Sequence, residues 1–331
     1  MGQRSIQGTV LITGASGFIG GRLRDALLDA GADVVAIRRA GSPEARRGRS
    51  AVVEYDDRDG LRRLVEKEKP AFVYHVAGAT KGVTYADFQR ANVMPTSNLI
   101  EALREAHGDV RRFVHVSSLA SYGPSTRERP HREHHPRRPI EFYGRSKLEA
   151  EQQVEAAGDA LPWTIIRPGG VYGPGDVDYF ELFKSIERGV NVFFGNRERV
   201  TSCVYVDDLV RAILDAASSE ATRGKGYFVC DGAPISWGAF QDHIIRESGR
   251  KVRTFNLPEV LVSVAATFGE LATRLDNKPR LFNKQKAVMG AQEAWTCSHE
   301  SLRADTGYAP EVEVAEGVRR TLAWYREKKW V

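Results

Sequence analysis

The chain's 331 residues predict an α/β fold, a doubly wound parallel sheet with a smaller, mostly helical C-terminal part. Three observations predict it. Short β-branched runs alternate with amphipathic helical stretches through the first half, and a glycine-rich turn joins the first run to the first helix. Beyond about Pro174 the alternation weakens into irregular and helical stretches. Strands alternating with helices of this length imply right-handed βαβ crossovers and a sheet covered on both faces.

Taken in order, the strand-like runs are "TVLIT", "DVVAIR", "AVVEY", "FVYHV", "RFVHV", "WTIIR" and, much later, "YFVC". The helical patterns between them are Phe18 to Ala30, ended by Gly31 as a left-handed cap, and Leu61 to Glu68, stopped by Pro70. Tyr85 to Ala106 and Tyr143 to Ala156 follow as further helices. This divides the chain into a dinucleotide-binding part, residues 1–173, rejoined by a strand near 226–231, and a substrate-binding part, residues 174–331. No internal repeat or low-complexity tract interrupts it.

Composition excludes several classes. An apolar fraction of 42% with ordinary Gly and Pro usage fits one large or two moderate globular domains, not a disordered or fibrous chain. The N-terminal "MGQRSIQG" is polar, so no signal peptide is expected, and Ile6 breaks the myristoylation pattern. Cys203, Cys230 and Cys297 are widely spaced, odd in number and form no CxxC pair, which points to the reducing cytoplasm and to no structural metal. The net charge of +5 is small for this length. Much of it lies in "TRERPHREHHPRRP", residues 126–139, which lacks the aromatics that stack bases and reads as a solvated surface loop, so no nucleic-acid partner is expected. Pro130, Pro136 and Pro139 keep His131, His134 and His135 off a common helical face, against a metal site.

Gly14, Gly17 and Gly20 follow a strand and open a helix. In that context the first glycine permits the tight turn, the second lets a pyrophosphate approach the backbone, and the third lets the helix pack on the strand. Free amides and the positive end of the helix dipole then face the phosphates. At the end of the second strand an acidic residue would take ribose hydroxyls and a basic one a 2′-phosphate. Arg38 and Arg39 stand there, which selects NADP, with NAD as the alternative if they form only a solvated basic turn. Asp56 is placed to touch adenine or to serve a helix N-terminus.

Tyr143 and Lys147 lie four apart on a helix and so share one face. A neighbouring ammonium favours the phenolate, which is expected to lower the tyrosine toward a useful acid/base range. Ser118 ends the fifth strand at the carboxyl edge of the sheet, where ligands bind in such folds, and its hydroxyl is placed to hold a substrate oxygen.

With these residues in place the sequence resembles the extended short-chain dehydrogenase/reductases, which include NAD-dependent epimerases and dehydratases. "TGASGFIG", "HVAG", "ANVMPTSNLIEAL", "VHVSSLASYG", "YGRSK", "RPGGVYGPG" and "VYVDDLVRAI" occur in that family's order over nearly the whole chain. The resemblance implies a Rossmann sheet with Tyr143 as acid/base, Lys147 on the nicotinamide ribose and Ser118 positioning the reacting oxygen. It adds Ser16, Phe18, Ile19, Asp57, Ala77, Gly78, Ala79, Pro168 and Val171 to the cofactor contacts, and Asn92 as a support for the adjoining helix. Pro95 replaces the glycine of the family's NVxGT pattern and is expected to kink or re-cap its helix. A homodimer through helices such as 85–106 and 143–156 is implied as well.

For the substrate, nucleotide-sugar members carry an arginine before a "YVDD" segment, where this chain has Thr201, with Arg199 two residues earlier; their later RxGD segment is also absent from the sequence. In its place stands "LPEVLVSVAATFGELATRL", Leu257 to Leu275, an apolar helix candidate too short and interrupted to span a bilayer, which reads as core, substrate wall or peripheral membrane contact. It resembles the branch containing 3β-hydroxysteroid dehydrogenases, sterol 4-carboxylate 3-dehydrogenases and dihydroflavonol reductases. Phe193 and Phe194 either line an apolar pocket or fill the core. The expectation is an NAD(P)-dependent oxidoreductase interconverting a secondary alcohol and a ketone on a mainly apolar small molecule, a 3β-hydroxysterol or 4-carboxysterol being one candidate. The basic loop 127–138 is a candidate attractor for a substrate carboxylate. A nucleotide-sugar epimerase, dehydratase or 4-ketoreductase, and a non-catalytic redox sensor, are the alternatives.

Overall fold

A computed structural model describes residues 6–44, 47–259 and 284–331. Seven parallel strands form the main sheet: β1 (Thr9–Thr13), β2 (Asp33–Arg38), β3 (Arg49–Val52), β4 (Phe72–His75), β5 (Arg112–Val116), β6 (Trp163–Pro168) and, returning late in the chain, Lys225–Val229. From one edge the order is β3, β2, β1, β4, β5, β6 and then that late strand. The order reverses between β1 and β4, registered Val10 to Phe72. A crevice therefore opens outside the carboxyl ends of these two strands.

Successive side chains of a strand point to opposite faces. In β1, Val10 and Ile12 join one core and Leu11 the other, and β2 divides Val34 and Ala36 from Val35 and Ile37 in the same way. Both faces are buried, so these strands read as continuous apolar runs instead of alternating ones. Helices α1 (Phe18–Asp29) and Val206–Ser218 cover the first face with Leu23, Leu27, Leu209 and Ile213. The second face is covered by α2 (Arg58–Glu68), α4 (Met94–Ala106) and α5 (Phe142–Ala156), using Leu61, Val65, Leu99, Leu103 and Val154.

A third core, with Tyr172, Phe183, Phe240, Ile244, Leu322 and Tyr325, joins helices Phe180–Glu187, Trp237–Ser248 and Val314–Glu327. Short strand pairs lie outside the main sheet, among them Val190–Phe194 with Arg253–Leu257. Of the expected apolar helix 257–275, residues 260–275 lie outside the described residues. Among the described residues no helix is long and apolar enough to cross a membrane.

Three expectations change. The third strand is Arg49–Val52, earlier than "AVVEY", because pairing with β2 ends at Arg38 and leaves Glu54 free to accept the Ala40 N–H at 2.7 Å. The helix over 85–106 is composite: α3 (Tyr85–Phe88), a π-helical turn Gln89–Val93, then α4 with Pro95 in its first turn, where a missing N–H costs least. The basic loop 126–139 is docked, not merely solvated. His131 bonds its N–H to Thr296 O at 2.8 Å and lies over the Phe228 ring, while the Glu133 carboxylate takes the Phe228 N–H at 3.0 Å and the Ser301 hydroxyl at 2.7 Å.

Candidate active site

The glycines are explained by what a side chain would strike. Gly14 has φ +72°, and a Cβ there would lie 2.8 Å from the Ala77 nitrogen at the end of β4. A Cβ on Gly20 would lie 2.1 Å from the Gly14 carbonyl oxygen, so helix and turn can only close with glycine in that place. Gly17 occupies the N-cap of α1, makes no side-chain cap, and no acidic residue follows in the first turn. The first amides of α1 thus face a cleft of about 560 Å³. Open amides, the dipole's positive end and a cradle that a Cβ would fill fit a pyrophosphate.

Of the expected cofactor contacts, Gly14, Ser16, Gly17, Phe18, Ile19, Gly20, Arg38, Asp56, Ala77, Gly78, Ala79, Tyr143 and Lys147 line this cleft. Asp57, Pro168 and Val171 are not among the lining residues. Asp57 caps α2 by accepting the Gly60 N–H at 2.9 Å, Pro168 ends β6, and Val171 packs against the core under α1. Arg39, expected beside Arg38, also lines the cleft, and Ser42, Glu54 and Tyr55, which no motif singled out, join it at the same end. Arg38 reaches Ser42 O at 3.4 Å, and its Nε is buried without a partner.

At the other end α5 presents Tyr143 and Lys147 to the cleft. Ser118, just past β5, is half-buried and is not among the residues lining the cleft; its hydroxyl lies beside the Tyr143 phenol and accepts the Ala120 N–H at 3.2 Å. Lys147 is buried and donates to Val116 O at 2.7 Å. Asn92, turned inward by the π-helical segment, accepts the Ala79 N–H at 2.7 Å and donates to Ser146 Oγ at 2.8 Å. It thereby ties the β4 loop to α5. Asp176 and Asp178 add a lip to the cleft that the sequence reading passed over; Asp178 pairs with Lys81 at 3.0 Å, and burial pushes the Asp176 carboxyl up to about 6.

The electrostatics correct one expectation. Burial pushes the Tyr143 phenol up to about 12; the neighbouring Ser118 hydroxyl opposes this, and the carboxylates of Glu141 and Asp178 add to it. The lysine does not make this phenol acidic, because desolvation of the charged form outweighs neighbouring charge in so enclosed a place. Burial likewise brings Lys147 down to about 8, against the opposing pull of Glu151.

The basic loop is also less available than expected. Arg127 donates to Glu198 O, Arg132 pairs with Glu300 at 2.8 Å and Arg137 with Glu155 at 2.8 Å. Arg199 is engaged with Glu259 Oε2 at 2.8 Å and Gly290 O at 2.6 Å. Among the described residues no group of three His, Cys, Asp or Glu side chains is arranged to hold a metal, and all three cysteines are free and buried.

A doubly wound sheet with this turn and this tyrosine–lysine pair at the carboxyl edge has the form of a dinucleotide-dependent enzyme. Residues 10–230 match the NAD dependent epimerase/dehydratase family, and the chain belongs to it, as an NAD(P)-dependent enzyme of the extended short-chain dehydrogenase/reductase type. It is 30% identical over 317 residues to the 4-hydroxy-2-methyl-3-oxo-4-farnesyl-3,4-dihydroquinoline-1-oxide ketoreductase of Stigmatella aurantiaca, covering 93% of each chain. It is 29% identical over 347 residues to a 3-beta-hydroxysteroid dehydrogenase of Mycolicibacterium neoaurum, covering 98% of this chain and 93% of that one. Its fold matches that of the UDP-glucose 4-epimerase of Thermotoga maritima with a TM-score of 0.80 over 97% of this chain and 99% of that one, at 23% identity.

Proposed function

We propose that the protein is an NADPH-preferring ketoreductase or alcohol dehydrogenase acting on a mainly apolar small molecule, with a 3β-hydroxysterol or 4-carboxysterol as a specific candidate. The observation that carries this reading is that Tyr143 and buried Lys147 line the same cleft as the glycine turn. When bound, the cofactor supplies or accepts the hydride. Tyr143, held protonated by burial, donates its proton to the carbonyl oxygen during reduction and takes it back in the reverse direction. Ser118 orients that oxygen, and the Lys147 ammonium, charged below about pH 8, holds the nicotinamide ribose. Arg38 and Arg39, with no acidic residue at the end of β2, support a 2′-phosphate and therefore NADP over NAD.

An apolar substrate is supported by the names of the two relatives and by Arg199, whose guanidinium is already occupied by Glu259 and Gly290. In this reading residues 1–173 with the strand near 226–231 hold the cofactor and 174–331 the substrate, and two copies pair through the surfaces of α4 and α5. The test is oxidation of NADPH and of NADH with a 3-oxosteroid, a 3-oxoalkanoate and a long-chain methyl ketone, reduction of NADP+ and NAD+ with a 3β-hydroxysteroid, and epimerisation of UDP-sugars read by analysis of the product sugars. Turnover confined to the apolar ketones and alcohol supports the reading; turnover of UDP-sugars alone, or of nothing, overturns it.

A further inference from the structure

One helical turn beyond Lys147, α5 carries a second buried charge, Glu151, to which the mechanism above gives no task. Its carboxylate is fully enclosed. It accepts the Ser117 hydroxyl at 2.5 Å and the Ser121 hydroxyl at 2.8 Å, the two serines that flank the turn bearing Ser118. From β6, Arg167 donates to it through Nε at 3.1 Å and through Nη2 at 2.9 Å, and Arg137 of the basic loop donates at 3.0 Å. The Arg167 guanidinium lies over the Tyr122 ring at 5.1 Å, which closes the far side of the turn. Every oxygen of the carboxylate is thus used to join the catalytic helix, the serine turn and β6.

We propose that Glu151 is a positioning residue: it fixes the Ser118 turn against α5 through Ser117 and Ser121, and its negative charge stands behind the Lys147 ammonium in a place from which water is excluded. This rests on the roles given above to Ser118, Tyr143 and Lys147. The charge has a distinct task because the other groups facing Lys147 do not supply it. His75 from β4 and His115 from β5 stack at 5.4 Å beside the lysine, and burial drives both well below the ordinary histidine range, so they are neutral. Arg167 from β6 and Arg137 from the loop are cations. The phenol of Tyr143 on α5 is uncharged. Glu151 is the carboxylate that opposes the effect of burial on Lys147.

The experiment is the variant Glu151→Gln, which keeps the shape and removes the charge, with the Lys147 Nζ resonance followed by NMR as pH is varied and assigned by Lys147→Arg. The expected result is a Lys147 titration about one pH unit lower than in the parent protein, with the alkaline limb of the pH–rate profile moving the same way. A folded variant whose lysine titrates as in the parent overturns the electrostatic role. Because Glu151→Gln takes from the buried Arg167 the carboxylate it bonds and risks unfolding, the double variant Ser117→Ala/Ser121→Ala tests the positioning role separately. It is expected to lose about tenfold in kcat on the best ketone of the panel, a larger change than in the KM for NADPH, and to melt at a lower temperature because a buried carboxylate loses two donors; a parental kcat overturns it. Failure of the functional reading is distinguishable, since the lysine resonance shifts in Glu151→Gln whether or not Tyr143→Phe retains turnover.

Discussion

The two ends of the cleft are built by opposite means. At the glycine turn the site is made by leaving side chains out: backbone amides and a helix dipole do the binding, and Gly14 and Gly20 are required by atoms of neighbouring backbone, such as the Gly14 oxygen 2.1 Å from a Cβ on Gly20. Around Tyr143 and Lys147 the site is made by packing charged side chains in, and each is held by partners from other strands and loops. The first end is local and steric, the second long-range and electrostatic. The comparison teaches where each is fragile: the turn to a single methyl group, the chemical end to a single charge.

The sharpest break is Tyr143→Phe, which removes the proton donor and leaves the rest of the cleft in place. Turnover should fall about a thousandfold while NADPH affinity, read by fluorescence titration, stays within about twofold. A retained rate would remove the phenol from the chemistry.

Next comes the turn itself. Gly20→Ala forces backbone apart and is expected to cost about 3 kcal/mol in denaturant unfolding, along with most of the cofactor affinity. Its neighbour Gly21→Ala places a Cβ 3.5 Å from Ala15 O, an ordinary contact, and should raise helix stability by up to about 1 kcal/mol. Equal outcomes for the two would show that the steric account of this end is mistaken.

Arg38→Ala tests the adenosine end. Loss of a charged partner for a 2′-phosphate is expected to weaken NADPH about 10- to 100-fold while NADH is little affected, measured as the ratio of the two dissociation constants. An unchanged ratio assigns the phosphate elsewhere or the preference to NAD.

The smallest expected effects are pH dependences that belong to the charged end alone. His75 is brought down to about 3 by burial, so between that value and its ordinary 6.5 the unfolded chain binds a proton the native one does not. Stability therefore falls as pH drops through this window, and the double variant His75→Gln/His115→Phe should flatten the melting curve between pH 7 and 5. Lys147, at about 8 against 10.5, works at the other extreme: the unfolded chain binds the extra proton between these values, and stability rises with pH there. Lys147→Met should abolish that rise, seen in melting temperatures across alkaline pH.

How much of this was legible in the sequence follows the same division. Six of the seven strands from "TVLIT" to "YFVC", the helix that begins at Phe18, the three glycines, and the Tyr143–Lys147 spacing are written in neighbouring residues, and the fold carries them; the third strand alone is displaced, from "AVVEY" to Arg49–Val52. Asp57, expected among the cofactor contacts, caps α2 instead, which only the position of Gly60 decides. The docking of the basic loop depends on Thr296, Phe228 and Ser301, residues far along the chain. Glu151 stands at a spacing from Lys147 that was visible, but its partners Ser117, Ser121, Arg137 and Arg167 come from three separate segments.

By itself, then, the sequence determined the doubly wound sheet, the turn and the helix face that carries the phenol and the amine, because periodicity and backbone sterics act over a few residues. The tertiary structure alone decided which of those groups are charged. Desolvation depends on everything packed around a side chain, and here it raises the phenol of Tyr143 and lowers the amine of Lys147 against what their spacing on one helix suggested.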